Sequence, residues 1–225
     1  EKAWEAGHHQ KEVVPVEIEP DFKMIKKDNG IRSGTPIEKL SKLKPAFDKK
    51  HGTLTAANSS FLTDGSAVCL IMTESKAKKL GFTPKAEIVD YCFTGQRLED
   101  ELLLGPAYAM SKVLDQTKLS LNDIDVFEIH EAFAGQVLTN IKCLAEDEFC
   151  KIELQKEKPV GEIDINKVNK WGGSLSIGHP FGATGARLLT TAANRLIEEN
   201  GQYAMLSACA AGAHGHAMII KKYEG

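Results

Sequence analysis

The chain has 225 residues, 42% of them apolar and 26% charged, the balance of a globular protein with material for a sizeable core. With 28 Lys and Arg against 31 Asp and Glu, its net charge of -3 sets up no strong field for nucleic acid or anionic lipid, and no apolar run approaches the roughly 20 residues of a bilayer span. The five cysteines (Cys69, Cys92, Cys143, Cys150 and Cys209) are scattered with no CxxC pair, which argues against a disulfide framework or a zinc site and for a reducing compartment.

The opening Glu1-Lys2-Ala3-Trp4 carries no targeting pattern and reads as the interior of a helix, so the chain is expected to belong to a longer protein. Up to about residue 57 there are only short strand-like pieces such as Val13 to Ile18, turn signals at Asp28-Asn29-Gly30 and Ser33-Gly34-Thr35-Pro36, and a lysine-rich patch from Lys39 to Lys50. From Asn58 a β/α rhythm takes over. Ala67 to Met72 is a continuous apolar run of the buried-strand type, and Glu74 to Leu80 follows as a short helix. Ala86 to Tyr91 reads as a strand and Pro106 to Gln116 as a helix with proline in its first turn. Ile124 to Ile129 is an alternating strand, Glu131 to Leu144 an amphipathic helix, and 146–170 a polar excursion. Gly182 to Glu199 is a helix on the spacing of Leu188, Leu189, Ala192 and Leu196, stopped by Asn200-Gly201. Tyr203 to Ala208 and His216 to Lys221 close the chain as a hairpin, so the pattern predicts a layered α/β domain with a mixed sheet.

Chemistry is possible in three places. His130-Glu131-Ala132-Phe133 follows a strand, where ligands of α/β sheets bind, although a helix-entry histidine with a satisfied hydrogen bond has the same position. Between Trp171 and Gly185, five glycines precede a helix, and Pro180 biases His179 toward an extended backbone that projects its imidazole at the helix start. The spacing fits neither a P-loop nor a dinucleotide fingerprint, and the alternative is a tight turn with a surface histidine. Cys209 ends an apolar strand and enters a turn of small residues, as a reactive thiol or as a small buried hydrophobe. His214 and His216 are not read as metal ligands. One thiol and two imidazoles at loop ends suit acyl transfer better than hydride or phosphoryl chemistry.

Taken together, the three segments resemble the C-terminal half of a thiolase. That family carries an Asn-Glu-Ala-Phe element, a Gly-Gly…Gly-His-Pro-x-Gly-x-Ser/Thr-Gly element and a Cys-x-Gly element, matched here by His130 to Phe133, Gly172 to Gly185 and Cys209 to Gly212. Gly52 to Ser60 and Asp64-Gly65 resemble the stretch that joins the thiolase loop domain to its C-terminal core, which implies a loop-domain remnant over 1–57 and a C-terminal domain over 58–225. His130 in place of Asn and Ala211 in place of Gly are similar to the subfamily of long-chain 3-ketoacyl-CoA thiolases that serve as β subunits of mitochondrial trifunctional complexes. The resemblance implies thiolysis of 3-ketoacyl-CoA with CoA as co-substrate, no bound cofactor or metal, a homodimer, an α subunit with hydratase and dehydrogenase activities as partner, and a mitochondrial location at the matrix or inner membrane.

It also implies roles. His179 activates the acylated cysteine, Cys209 is the acid and base at the substrate α-carbon, and His130 holds or replaces an oxyanion-hole water. The Ala211 backbone N–H completes a second oxyanion hole, Ser60 contacts pantetheine, Arg32 lies near the adenine, and Phe133 lines the acyl or pantetheine tunnel or belongs to the core. A free thiol near ~8.5 suits the shuttle assigned to Cys209. Thiolases acylate another cysteine on the N-terminal half, and none of Cys69, Cys92, Cys143 or Cys150 has a comparable setting, so this chain alone is expected to be inactive. The rival readings are a biosynthetic or sterol-carrier-type acetyl-CoA acetyltransferase and a non-catalytic CoA-binding module.

Overall fold

A computed structural model describes residues 1–225, apart from the side chain of Asp100. Its centre is a mixed four-stranded sheet in the order β3-β6-β5-β4, formed by Ala86–Gly95 (β3), Val126–Ile129 (β4), Tyr203–Ala210 (β5) and His214–Lys222 (β6). β6 is antiparallel to both neighbours, and β5 runs parallel to β4, the mixed sheet and closing hairpin expected from the sequence.

Side chains alternate across this sheet with a period of two, and each face has its own cover. Phe127, Ile129, Met205, Ala217 and Ile219 pack under Gly105–Thr117 (α5) and Ala134–Ala145 (α6). Val126, Ala204, Leu206 and Ile220 pack under Thr184–Glu198 (α9), through Leu188, Ala192 and Leu196 on its apolar stripe. α5 approaches the sheet so closely that the Gly105 backbone lies against Gly215, where a side chain has no room. β4 and α9 are also joined through charge. Arg195 and Glu128 are both fully buried and 2.7 Å apart, and Arg195 is further held by Glu199 at 2.8 Å and by the Phe127 and Lys167 carbonyls. Asn200, at φ 53°, ends α9, and the Gly201 N–H returns to the Leu196 carbonyl at 3.0 Å, as the Asn-Gly signal predicts.

The polar stretch after α6 is more ordered than its composition suggests. It holds Asp147–Ile152 (α7), whose Cys150 is buried, then a short 3-10 turn at Ile165–Lys167. Ser174–Ile177 (α8) is a single turn inside the glycine-rich segment, and Leu98–Glu101 (α4) is another that leads into α5.

The N-terminal third is built differently. After Lys2–Glu5 (α1), residues 8–12 tie the chain down: the Glu12 carboxylate accepts from Thr191 and Asn194 of α9, both at 2.8 Å, and His8 stacks on Trp171 with ring centroids 4.3 Å apart. Val16–Ile18 (β1) and Lys23–Ile25 (β2) form an exposed antiparallel ribbon, and Ile37–Leu40 (α2) is one exposed turn. Glu74–Leu80 (α3) has the expected limits, with Thr73 capping its start and Gly81 in the left-handed region at its end. The expected strand over Ala67 to Met72 does not form. Ala67, Val68, Leu70 and Ile71 face solvent, Val68 at 89% exposure and Leu70 at 72%, and only Cys69 and Met72 are half-buried, because no neighbouring strand among the described residues offers a ladder. Cys69 is therefore not in a strand, and Cys92 lies inside β3 rather than at its end.

Candidate functional site

The candidate residues collect at the carboxyl ends of the two parallel strands, the usual ligand position in an open α/β sheet. His130 is the first residue after β4, and its N–H donates to the Ser207 carbonyl of β5 at 2.8 Å. Two residues further on, Cys209 pairs with Gly215. His179 arrives from the loop ahead of α9 and lays its ring over His130, with centroids 3.9 Å apart and planes tilted by 33°. The two imidazoles predicted from separate motifs thus form one pair.

That loop is held by contacts that the sequence left unread. Asn169 (φ 44°) accepts from the Ile129 N–H at 2.7 Å and donates to the Ile129 carbonyl and to Glu131. Glu131 also accepts from the Leu175 N–H at 3.1 Å, so its carboxylate ties the strand end to α8. Ser174 Oγ lies 2.9 Å from His130 Nδ1, and Thr184 Oγ1 lies 2.7 Å from His179 Nδ1. Gly178 (φ 85°) turns the chain into His179, and Thr63 fills the space where a side chain at 178 would stand. Residues 58–60 edge the same region: the Ser60 N–H donates to the Ala132 carbonyl at 2.9 Å, Ser59 bridges to Phe133, and Phe133 meets Phe47 edge-on at 6.2 Å. Asn169 escaped notice because it sits within the polar excursion. Ser174 and Thr184 lie inside the glycine-rich motif, but nothing in their spacing marks them as imidazole partners.

Both histidines are neutral at physiological pH. Burial pushes His130 down to about 3, helped by His179 and by the Arg187 guanidinium, and burial with Arg187 lowers His179 as well. Arg187 stands on the first turns of α9 with Nη1 3.9 Å from Glu128 Oε2. Burial pushes the Glu128 carboxyl up, against the pull of Arg195 and Arg187.

Cys209 departs from expectation in its acidity. Burial pushes its thiol up to about 11 rather than leaving it near the free value, with only its own backbone N–H opposing the rise. Its Sγ makes no hydrogen bond to an imidazole among the described residues, and alternation along β5 gives it the α5 face shared with Met205. Ala211 begins the turn after β5, and its carbonyl lies 3.1 Å from His214 Nδ1. Arg32 is exposed and makes no hydrogen bond or ion pair among the described residues. The remaining thiols are set apart from the imidazole pair: Cys92 donates to the Ala109 carbonyl at 3.2 Å, Cys150 to that of Cys143 at 3.4 Å, and Cys143 is buried on α6. Cys69 is half-buried in the irregular segment before α3.

The site is thus a pair of imidazoles beyond the carboxyl edge of a layered α/β sheet, with a thiol near the end of β5. The chain belongs to the thiolase family: the model of the thiolase C-terminal domain matches residues 82–222, and that of the N-terminal domain matches 1–75. It is 56% identical over 213 residues to a probable 3-ketoacyl-CoA thiolase of Caenorhabditis elegans, covering 94% of this chain and 47% of that one. To the human mitochondrial trifunctional enzyme subunit beta it is 53% identical over 212 residues, 94% of this chain and 44% of the relative. Among solved structures it is similar to human mitochondrial 3-ketoacyl-CoA thiolase in complex with CoA, with a TM-score of 0.78 and 33% identity over 99% of this chain and 51% of that one. The chain thus spans about half the length of the relatives it matches.

Proposed function

We propose that these residues supply the acid–base half of a 3-ketoacyl-CoA thiolase of fatty-acid β-oxidation, with residues 1–57 as its loop-domain portion and 58–225 as its C-terminal domain. The observation that carries this reading is the neutral His130–His179 pair beyond the strand ends, within a chain of the thiolase family.

In the reaction a cysteine thiolate, from outside these 225 residues, attacks the ketone carbon of the substrate. The bond between the α- and β-carbons breaks, the shortened acyl group stays on that cysteine, and acetyl-CoA leaves as an enolate. His179, neutral and half-buried, takes the nucleophile's proton and then donates to the thioester oxygen. His130 donates one N–H toward the enolate oxygen, directly or through a water. The Ala211 backbone N–H completes the hole for the acyl oxygen.

The acidity of Cys209 suits both of its duties. At about 11 the thiol is protonated at neutral pH, so it enters the cycle as the acid that protonates the enolate carbon. The thiolate left behind is a stronger base than an ordinary thiol near ~8.5, so it draws the proton from incoming CoA, whose sulfur then takes the acyl group. Ser60 contacts the pantetheine and Phe133 lines its path, with Arg32 toward the adenine. The relatives' names support a mitochondrial location and a place as the β subunit of a trifunctional enzyme; the family resemblance makes its partner an α subunit with hydratase and dehydrogenase activities. Assembly is through a homodimer of thiolase cores.

The test is made in the full-length protein. Cys209→Ser and His179→Ala should each lower thiolysis at least ~10²-fold, while His130→Asn keeps substantial activity. Near-normal turnover in Cys209→Ser or His179→Ala defeats the assignment, as does thiolysis by the 225-residue chain alone. Rates with C4 and C16 3-ketoacyl-CoA separate a long-chain enzyme from an acetyl-CoA acetyltransferase.

A further inference from the structure

Ser174 has no part in the chemistry above, yet it is placed to control it. The residue is completely buried at the start of α8, and the partner of its hydroxyl is Nδ1 of His130, 2.9 Å away. A hydroxyl has one proton to give, and a neutral imidazole has one N–H and one lone pair. Two arrangements therefore exist. With the imidazole hydrogen on Nδ1, Ser174 must accept, and its own proton points into a sealed site with no acceptor among the described residues. With the hydrogen on Nε2, Ser174 donates to the Nδ1 lone pair, and the one donor left over is the ring's own Nε2–H, which unlike the Ser174 hydroxyl is not sealed inside the protein. Buried donors without partners are rare because nothing replaces the water they lose.

The neighbouring imidazole lacks this constraint. His179 Nδ1 is 2.7 Å from Thr184 Oγ1, but Thr184 also has the Pro180 carbonyl at 3.5 Å to receive its proton. Thr184 can therefore accept from His179 or donate to it, and His179 keeps the freedom that a proton-transfer group needs.

We propose that Ser174 is a positioning residue that locks His130 as the Nε2–H tautomer, so that the ring nitrogen left open to a ligand is always a hydrogen-bond donor. Nε2 has no protein partner among the described residues, and an anionic oxygen is the group that such a donor receives. Protonation does not unlock the ring near neutrality, since burial holds it far below the usual imidazole range. The purpose of the lock rests on the thiolase reading; the tautomer itself does not.

The experiment is long-range ¹H–¹⁵N correlation of the ¹⁵N-histidine-labelled chain between pH 8 and 6, with His130→Asn identifying the His130 signals. The expected result is an unprotonated Nδ1 and a protonated Nε2, unchanged across that range. Ser174→Ala should lose the lock and show averaged ring shifts, and Ser174→Thr should restore it. A wild-type ring with its hydrogen on Nδ1 overturns the proposal, and so does an unaltered tautomer in Ser174→Ala. If Ser174→Ala does not fold, the wild-type spectrum and Ser174→Thr still decide. An absence of thiolysis in the full-length protein would end the functional reading and leave this measurement intact.

Discussion

Two apolar stretches of this chain have opposite fates. Ala204 to Leu206 of β5 is sealed between helices on both faces, whereas Val68 to Ile71, just as apolar, lies open to solvent. The difference is not hydrophobicity but backbone pairing. β5 has β4 on one side and β6 on the other, and this ladder presents its side chains to α5 and α9. Residues 67–72 have no ladder, so nothing orients their side chains toward a common partner. The same division runs through the molecule: Val126, Ile129, Met205 and Ile219 have no exposure, while Val14, Phe47 and Leu62 are exposed at 79%, 71% and 99%. Apolar content supplies the driving force, and the sheet decides where it can act.

If the sheet and its helix layers carry the stability, the largest losses follow from damage there. Arg195→Ala removes the direct partner of buried Glu128 and leaves it only the more distant Arg187, and should cost about 3 kcal/mol in urea unfolding. Arg195→Met together with Glu128→Leu should be far milder; equal losses would mean that packing at this position, not charge, holds β4 to α9. Gly215→Ala drives a methyl into the Gly105 backbone and should cost about 3 kcal/mol, the upper end for overpacking. A thermal midpoint unchanged by that substitution would show that α5 shifts freely on the sheet.

The site makes a smaller contribution that depends on pH. An unfolded histidine takes up a proton near 6.5, but folded His130 does so only at about 3. Between those values the unfolded chain binds more protons, so this residue's contribution to stability falls as pH falls. Relative to wild type, His130→Asn should flatten the stability profile by about 2 kcal/mol between pH 6.5 and 5, at about 1.4 kcal/mol per unit. Parallel profiles for the two proteins would place His130 in a wetter setting than its burial indicates. Least affected is the N-terminal third, where Val68→Ser and Leu70→Ser should change folding stability by less than about 0.5 kcal/mol. A loss above about 1 kcal/mol from either would give that run a hidden partner in the fold and break the contrast.

Local signals in the sequence carried most of the C-terminal elements. The cap residues of α3, the Asn-Gly stop after α9 and the apolar stripe of α9 each act within a turn or two of the chain, so they are visible without coordinates. Motif spacing likewise singled out His130, His179 and Cys209. The misreading of 67–72 has the opposite cause: a short apolar run states that burial is favourable, not that a neighbour is present.

What the sequence determined by itself is the set of groups and their local frames: two imidazoles after a strand and a glycine-rich loop, a thiol at the end of another strand, and the helices around them. Only the tertiary structure decided their relations and their acidity. The 3.9 Å stack of His130 on His179 and the hydroxyl of Ser174 against His130 join residues more than 40 apart in the chain, and the rise of the Cys209 thiol to about 11 comes from its burial in the assembled fold. The physical reason is that desolvation depends on everything packed around a group, whereas capping and periodicity depend on its nearest neighbours along the chain.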